Sequence, residues 1–254
     1  MKTECIPIRI ANVHLLHAIP ADHWLLYPTL RRTESDYVGI RGIYQAFGQF
    51  YGFESLPDQI DPEDYRDEVA KEPMNLYCIA SPKANRWTRR FLEAFGLSWS
   101  PKREFRPDPT STNLRNVTVS LHGDNDVIIE PENWDRGEGD RYWRDYGIIV
   151  RGPNPFDPLH RHMFVVLAGR SSLGTQAACT AFTDAGAVKN VIETYLRPHG
   201  IDIEDHRQPF YVLVSMERRH DKKEEPMTES LSIRAAGRFI TRTPAASRAV
   251  ASDF

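Results

Sequence analysis

The residues best suited to chemistry fall in two short turns, Gly169-Arg-Ser-Ser-Leu-Gly-Thr175 and Ser81-Pro-Lys-Ala-Asn85. Each follows an apolar run and precedes a helical pattern. Such a turn leaves the first amides of its helix unpaired and faces the positive end of the helix dipole, so it suits phosphate or carboxylate. In the first turn Gly169 and Gly174 allow close backbone approach, Ser171, Ser172 and Thr175 carry hydroxyls, and Arg170 brings a neutralising charge. In the second, Ser81, Lys83 and Asn85 supply comparable groups without glycine. The first turn lacks the Gly-Lys-Ser/Thr ending of a Walker loop and the glycine spacing of the dinucleotide fingerprint. A capped strand-to-helix turn explains either one alone. Two in one chain point to a nucleotide-sized anion.

Other candidates are more scattered. Asn154, between Pro153 and Pro155, is a rigid turn residue placed to read a base or a ribose hydroxyl, and Asp145 precedes the apolar run that leads to it. Glu130, Glu132 and Asp145 are the acids available to attack or protonate a glycosyl group. Asp157-x-x-His160-x-His162 falls short of a metal-ligand set and reads as a polar loop, so no metal is expected and no cofactor is identified. Ser171 and Ser172 lack the Gly-x-Ser-x-Gly elbow of a serine hydrolase.

The elements that must position these residues are legible in the periodicity. Asn75–Ala80, Met163–Gly169 and Phe210–Ser215 are continuous apolar runs, as buried strands require. Ile40, Ile43, Tyr44, Phe47 and Tyr51 form one helical face, and Trp87, Phe91 and Phe95 another, capped by Asn85 and ended by Gly96. Val188, Val191, Ile192, Tyr195 and Leu196 mark a third helix, closed by Pro198 and Gly200. Val117–Leu121 and Val127–Ile129 read as a hairpin. The alternation predicts an α/β fold: a three-layer, doubly wound, mostly parallel sheet of the Rossmann or flavodoxin kind, with its ligand site where strand ends meet helix starts. Residues 1–35 read as an irregular segment packed on the domain, 36–240 as the α/β domain, and 241–254 as a flexible tail. The stretch 54–72 reads as a solvated acidic loop or a short surface helix, and 98–115, with Trp99, Lys102, Arg103, Phe105, Arg106 and Arg115, as an irregular basic connection.

Composition narrows the partners. The 254 residues carry a net charge of -3, so no global basic field favours duplex nucleic acid as a primary ligand. Cys5, Cys78 and Cys179 are far apart and odd in number, which suits a reducing cytoplasm better than a disulfide framework. No apolar run reaches the length of a membrane span, so no membrane role is expected. A protein partner or a second copy of the chain is compatible with everything above.

The strand end Ala168-Gly169, followed by Gly174-Thr175, resembles the glycine-rich turns of the Lonely-Guy-like (LOG, SLOG) Rossmann proteins. Enzymes of that family show Gly-Gly-x-Gly-Thr-x-x-Glu, and Ala178 stands here where the Glu would be. The resemblance implies nucleotide binding, with a role as sensor or effector in a bacterial defence or signalling complex. The absent carboxylate implies binding in preference to N-glycosidic hydrolysis. The strand-turn-helix units also resemble those of nucleoside deoxyribosyltransferases. The expectation is therefore a nucleotide-responsive binding domain for a phosphate- or ribose-containing ligand. The alternatives are an N-glycosidase, deoxyribosyltransferase or NAD-consuming hydrolase on the same pocket, and a non-catalytic interaction module.

Overall fold

Every residue of Asn75–Ile79 and of Met163–Gly169 is buried, which is why these runs are apolar without alternation. They form the middle of a mixed sheet. A computed structural model describes residues 23–28, 34–51, 58–65, 75–95, 97, 115–120, 126–132, 141–157, 159, 162–203, 205, 207–220 and 228–238. In chain order the elements are β1 (His23–Leu26), α1 (Glu34–Tyr51), β2 (Asp58–Ile60), β3 (Asn75–Ile79), α2 (Arg86–Ala94), β4 (Arg115–Ser120), β5 (Asp126–Glu132), β6 (Arg141–Pro153), β7 (Met163–Gly169), α3 (Ser172–Thr183), α4 (Ala185–Asn190), β8 (Phe210–His220) and β9 (Thr228–Arg238). After α4 the chain continues as a π-helical turn, Val191–Leu196, and a 3-10 turn, Arg197–His199. Gly200 then closes the run at φ 64°, the left-handed position that favours glycine.

Seven strands pair in the order β2-β1-β3-β7-β6-β8-β9, and β4 pairs with β5 in a separate antiparallel sheet. The expected parallel arrangement holds from β2 to β7. From β7 through β6 and β8 to β9 every pairing is antiparallel, so the sheet is mixed. Connection length is the reason. Residues 154–162 between β6 and β7 are too few for a crossover helix, and the strand must fold back. Two further strands differ from expectation. The segment 1–35, read as irregular, includes β1 at His23–Leu26, which lies between β2 and β3. The stretch 54–72, read as a loop or a surface helix, contains the strand β2. Residues 1–22, 98–114 and 239–254, including the basic segment up to Arg115 and the expected tail, lie outside the described residues.

The sheet carries a core on each face. On one, Tyr77, Ile79, Val165, Leu167 and Val212 meet Ile43 and Phe47 of α1, Ala178 and Phe182 of α3, and Val188 of α4. On the other, Leu76, Cys78, Phe164 and Val166 meet Trp87, Phe91 and Phe95. Phe164 stacks between Phe91 and Phe95, each 4.8 Å away by ring centroids. The helices after the adjacent strands β3 and β7 thus leave to opposite faces of the sheet.

Candidate functional site

The two turns lie side by side. β3 and β7 are parallel neighbours in the register Leu76↔Phe164 to Ile79↔Leu167, so the segments 80–85 and 170–171 emerge at one rim. The amide of Ala80 donates to the carbonyl of Leu167 at 3.1 Å, which extends the pairing into the turn. Ala80 takes φ 95°, a left-handed conformation that is strained for a residue with a Cβ.

The start of α3 is already occupied by an anion of the chain itself. Asp145 of β6 is buried, and its Oδ2 accepts from the amides of Ser171 and Gly174, both at 2.9 Å, and from the Ser171 hydroxyl. Arg170 Nε stands 3.4 Å from Asp145 Oδ1, an ion-pair contact. Ser171 is the N-cap, yet its side chain makes no cap bond. The carboxylate does what the serine oxygen ordinarily does. Asp145 is therefore a long-range helix cap, held by three donors, and is poorly placed to act as a nucleophile. The Thr175 hydroxyl donates to the Ser171 carbonyl at 3.2 Å. Among the described residues, no acceptor meets the amides of Ser172 and Leu173.

The glycines of this turn answer to packing. A Cβ on Gly169 would stand 2.0 Å from the Thr175 nitrogen, and one on Gly174 2.1 Å from the Tyr146 oxygen. They let the first turn of α3 lie directly on β6 and β7. That turn is fastened on its other side by a network absent from the sequence reading. Gln176 Nε2 donates to Glu229 Oε2 at 2.8 Å, and Arg218 Nε donates to Glu229 Oε1 at 2.8 Å. Arg218 also donates to Gln176 Oε1 at 3.3 Å.

The start of α2 is capped as the sequence predicts. Asn85 Oδ1 accepts from the amides of Trp87 and Thr88 at 2.9 and 3.3 Å. Its Nδ2 donates to the carbonyls of Leu26 and Ile79 at 2.8 and 3.0 Å, tying the ends of β1 and β3 together. Asn85 is fully buried and all four bonds are internal, so its side chain is not offered to a ligand. Arg86 and Trp87 hold the segment 62–65. Arg86 Nε donates to the Pro62 carbonyl at 2.9 Å and Nη2 to that of Tyr65 at 2.8 Å, and Trp87 Nε1 donates to both. Ser81 is half-buried, Lys83 is exposed, and neither side chain has a partner among the described residues.

Asn154 does not join this rim. It follows β6 at the end paired with the start of β7 (Pro153↔Met163), whereas Asp145 stands where β7 ends (Gly147↔Gly169). Nine strand steps put the two about 30 Å apart. Asn154 is also fully buried, with Oδ1 accepting from the Phe156 amide at 3.0 Å, so it is not displayed to solvent. Beside it, Asp157 Oδ2 lies 2.8 Å from His162 Nδ1 and accepts from the His162 amide at 3.0 Å. That pair locks the loop between β6 and β7, and His160 lies outside the described residues. Glu130 and Glu132 belong to β5 in the separate two-stranded sheet, so the three candidate acids are not on one element. A groove of about 390 Å³ opens away from the rim, at the far end of α3, lined by Val38, Arg41, Gln45, Thr180, Thr183 and Asp184, among others.

The sequence matches no protein-family model and no curated protein.

Proposed function

We propose that the protein is a nucleotide-responsive binding domain of the doubly wound Rossmann or flavodoxin kind, taking a phosphate- or ribose-containing small molecule at the rim where β1, β3 and β7 end. One observation carries the reading. The helices that follow the neighbouring parallel strands β3 and β7 diverge to opposite faces, the arrangement that opens a crevice outside the carboxyl ends of the strands. The groups left to meet a ligand are the Lys83 ammonium, the Ser81 hydroxyl, the amides of Ser172 and Leu173, and the outer edge of the Arg170–Ser171 turn. Asn85 and the amides of Ser171 and Gly174 act as scaffold that holds the rim in shape. The nucleotide-sensing role in bacterial defence or signalling belongs to this reading through the Gly174-Thr175 resemblance.

Thermal unfolding with a panel of nucleoside monophosphates, ATP, NAD and inorganic phosphate tests it. A ligand at a hundred times its Kd stabilises the fold by about 2.7 kcal/mol, an easily measured rise in Tm. Lys83→Glu should abolish the rise without lowering the Tm of the free protein, because Lys83 is exposed. No rise with any member of the panel would end the proposal.

A second reading, a non-catalytic interaction module, is favoured by Tyr37 and Val38, which are 56% and 48% exposed on α1. Failure of every small molecule, together with self-association or capture of a partner that Val38→Glu abolishes, would select it.

A further inference from the structure

Asp145 is a capping group with one oxygen left over. Its Oδ2 takes all three donors from the start of α3, while Oδ1 is buried and receives no hydrogen bond. The side chain is 5% exposed, and Arg170 Nε at 3.4 Å supplies charge to Oδ1 without hydrogen-bond geometry. A buried carboxylate oxygen lacking a donor is costly, and a hydroxyl is the ligand group that relieves it. The same carboxylate works against phosphate. It places negative charge at the helix start and has consumed two of the amides that would otherwise cradle an anion.

Resting on the ligand-binding reading above, we infer that Asp145 sets the specificity of that rim. It disfavours bare phosphate at the start of α3, and through Oδ1 it accepts a hydroxyl of a ribose-bearing ligand. Arg170, half-buried across Oδ1, is the side chain that shifts aside as the hydroxyl enters. The amides of Ser172 and Leu173 then face the remainder of the ligand.

The test is a titration of the full chain with the four ribonucleoside 5′-monophosphates, their 2′,3′-dideoxy counterparts and inorganic phosphate. The preferred ribonucleotide should bind on the order of tenfold more tightly than its dideoxy form, the worth of one hydrogen bond to a charged group. Inorganic phosphate should bind more weakly than either. Asp145→Asn keeps an oxygen for the amides of Ser171 and Gly174 but turns an NH2 toward the position of Oδ1. Ribose discrimination should collapse in that variant, and phosphate should bind more tightly than in the wild type. Equal binding of ribo and dideoxy forms by the wild type overturns the inference even where the variant does not fold, and so does discrimination that survives in Asp145→Asn. Equal binding that Ser172→Pro weakens about tenfold would leave the site standing and remove only the role of Asp145. Absence of binding by every probe removes both.

Discussion

Gly147 of β6 and Gly174 of α3 meet backbone to backbone. A Cβ on Gly147 would stand 2.1 Å from the Gly174 oxygen, and one on Gly174 would lie 2.9 Å from Asp145 Oδ2. The Gly174 oxygen and the Tyr146 oxygen, 2.1 Å from a Cβ on Gly174, are main-chain atoms that cannot rotate away. Gly174→Ala or Gly147→Ala must push α3 off the sheet and break its cap on Asp145, costing about 3 kcal/mol in urea unfolding. A loss below about 1 kcal/mol in both would show that the contact is looser than described. Substitution at Gly174 consequently reports on packing and is unsuitable as a probe of ligand contact.

Asn85 separates two roles that a single deletion would merge. Asn85→Ala loses both cap bonds and both ties to Leu26 and Ile79, and should cost about 3 kcal/mol. Asn85→Asp keeps an oxygen for Trp87 and Thr88 but sets the other against two carbonyls. It should therefore be no better than the alanine variant, although Asp is a good N-cap elsewhere. Recovery of most of the stability by Asp would mean that capping alone matters.

Ala80 offers the opposite sign. At φ 95° its Cβ is a source of strain, and glycine adopts that conformation freely. Ala80→Gly should raise stability by about 1 kcal/mol, measured by thermal or urea unfolding. Destabilisation by a similar amount would contradict the strained backbone.

Alkaline pH should weaken the fold through Cys78. Burial pushes its thiol well above the ordinary value of 9.0, because the thiolate is disfavoured inside the sheet. The folded pKa is raised, so the contribution is fully present below the unfolded value and is lost as pH rises past it. Once the unfolded thiol is ionised, the loss is about 1.4 kcal/mol per pH unit. Tyr211, half-buried and likewise shifted upward by burial from 10.0, adds a later and smaller decline. Urea unfolding at pH 8 and pH 10.5 should show a shallower decline for Cys78→Ala than for the wild type. Equal declines would contradict the burial of Cys78.

The legible parts of the fold were those whose burial is total or whose pattern is local. Continuous apolar runs gave away β3, β7 and β8, and the Asn85 cap is a signal confined to four residues. β1 and β2, with four and three residues, are too short to show a period and are defined by their neighbours. Strand direction after β7 depends on how the chain returns, which residue type does not encode. At the site, the sequence singled out Asp145 and Gly169–Thr175 separately. What it could not supply is that Asp145 caps that very turn, a contact between residues 26 and 29 positions apart. Glycines read as room for phosphate are room for β6. The position of Asn154 was hidden for the same reason, since the antiparallel run of β6 carries it to the opposite rim.

The central claim is best tested at Ser172, the first residue of α3. Proline is tolerated there, and the extended N-cap Ser171, at φ -131° and ψ -172°, suits a residue before proline. Ser172→Pro deletes one unclaimed amide and leaves the cap from Asp145 in place. Calorimetric titration with the nucleotide that most raises the Tm should show an unchanged fold and binding weakened about tenfold. Undiminished affinity in a folded Ser172→Pro protein would contradict ligand binding at this rim.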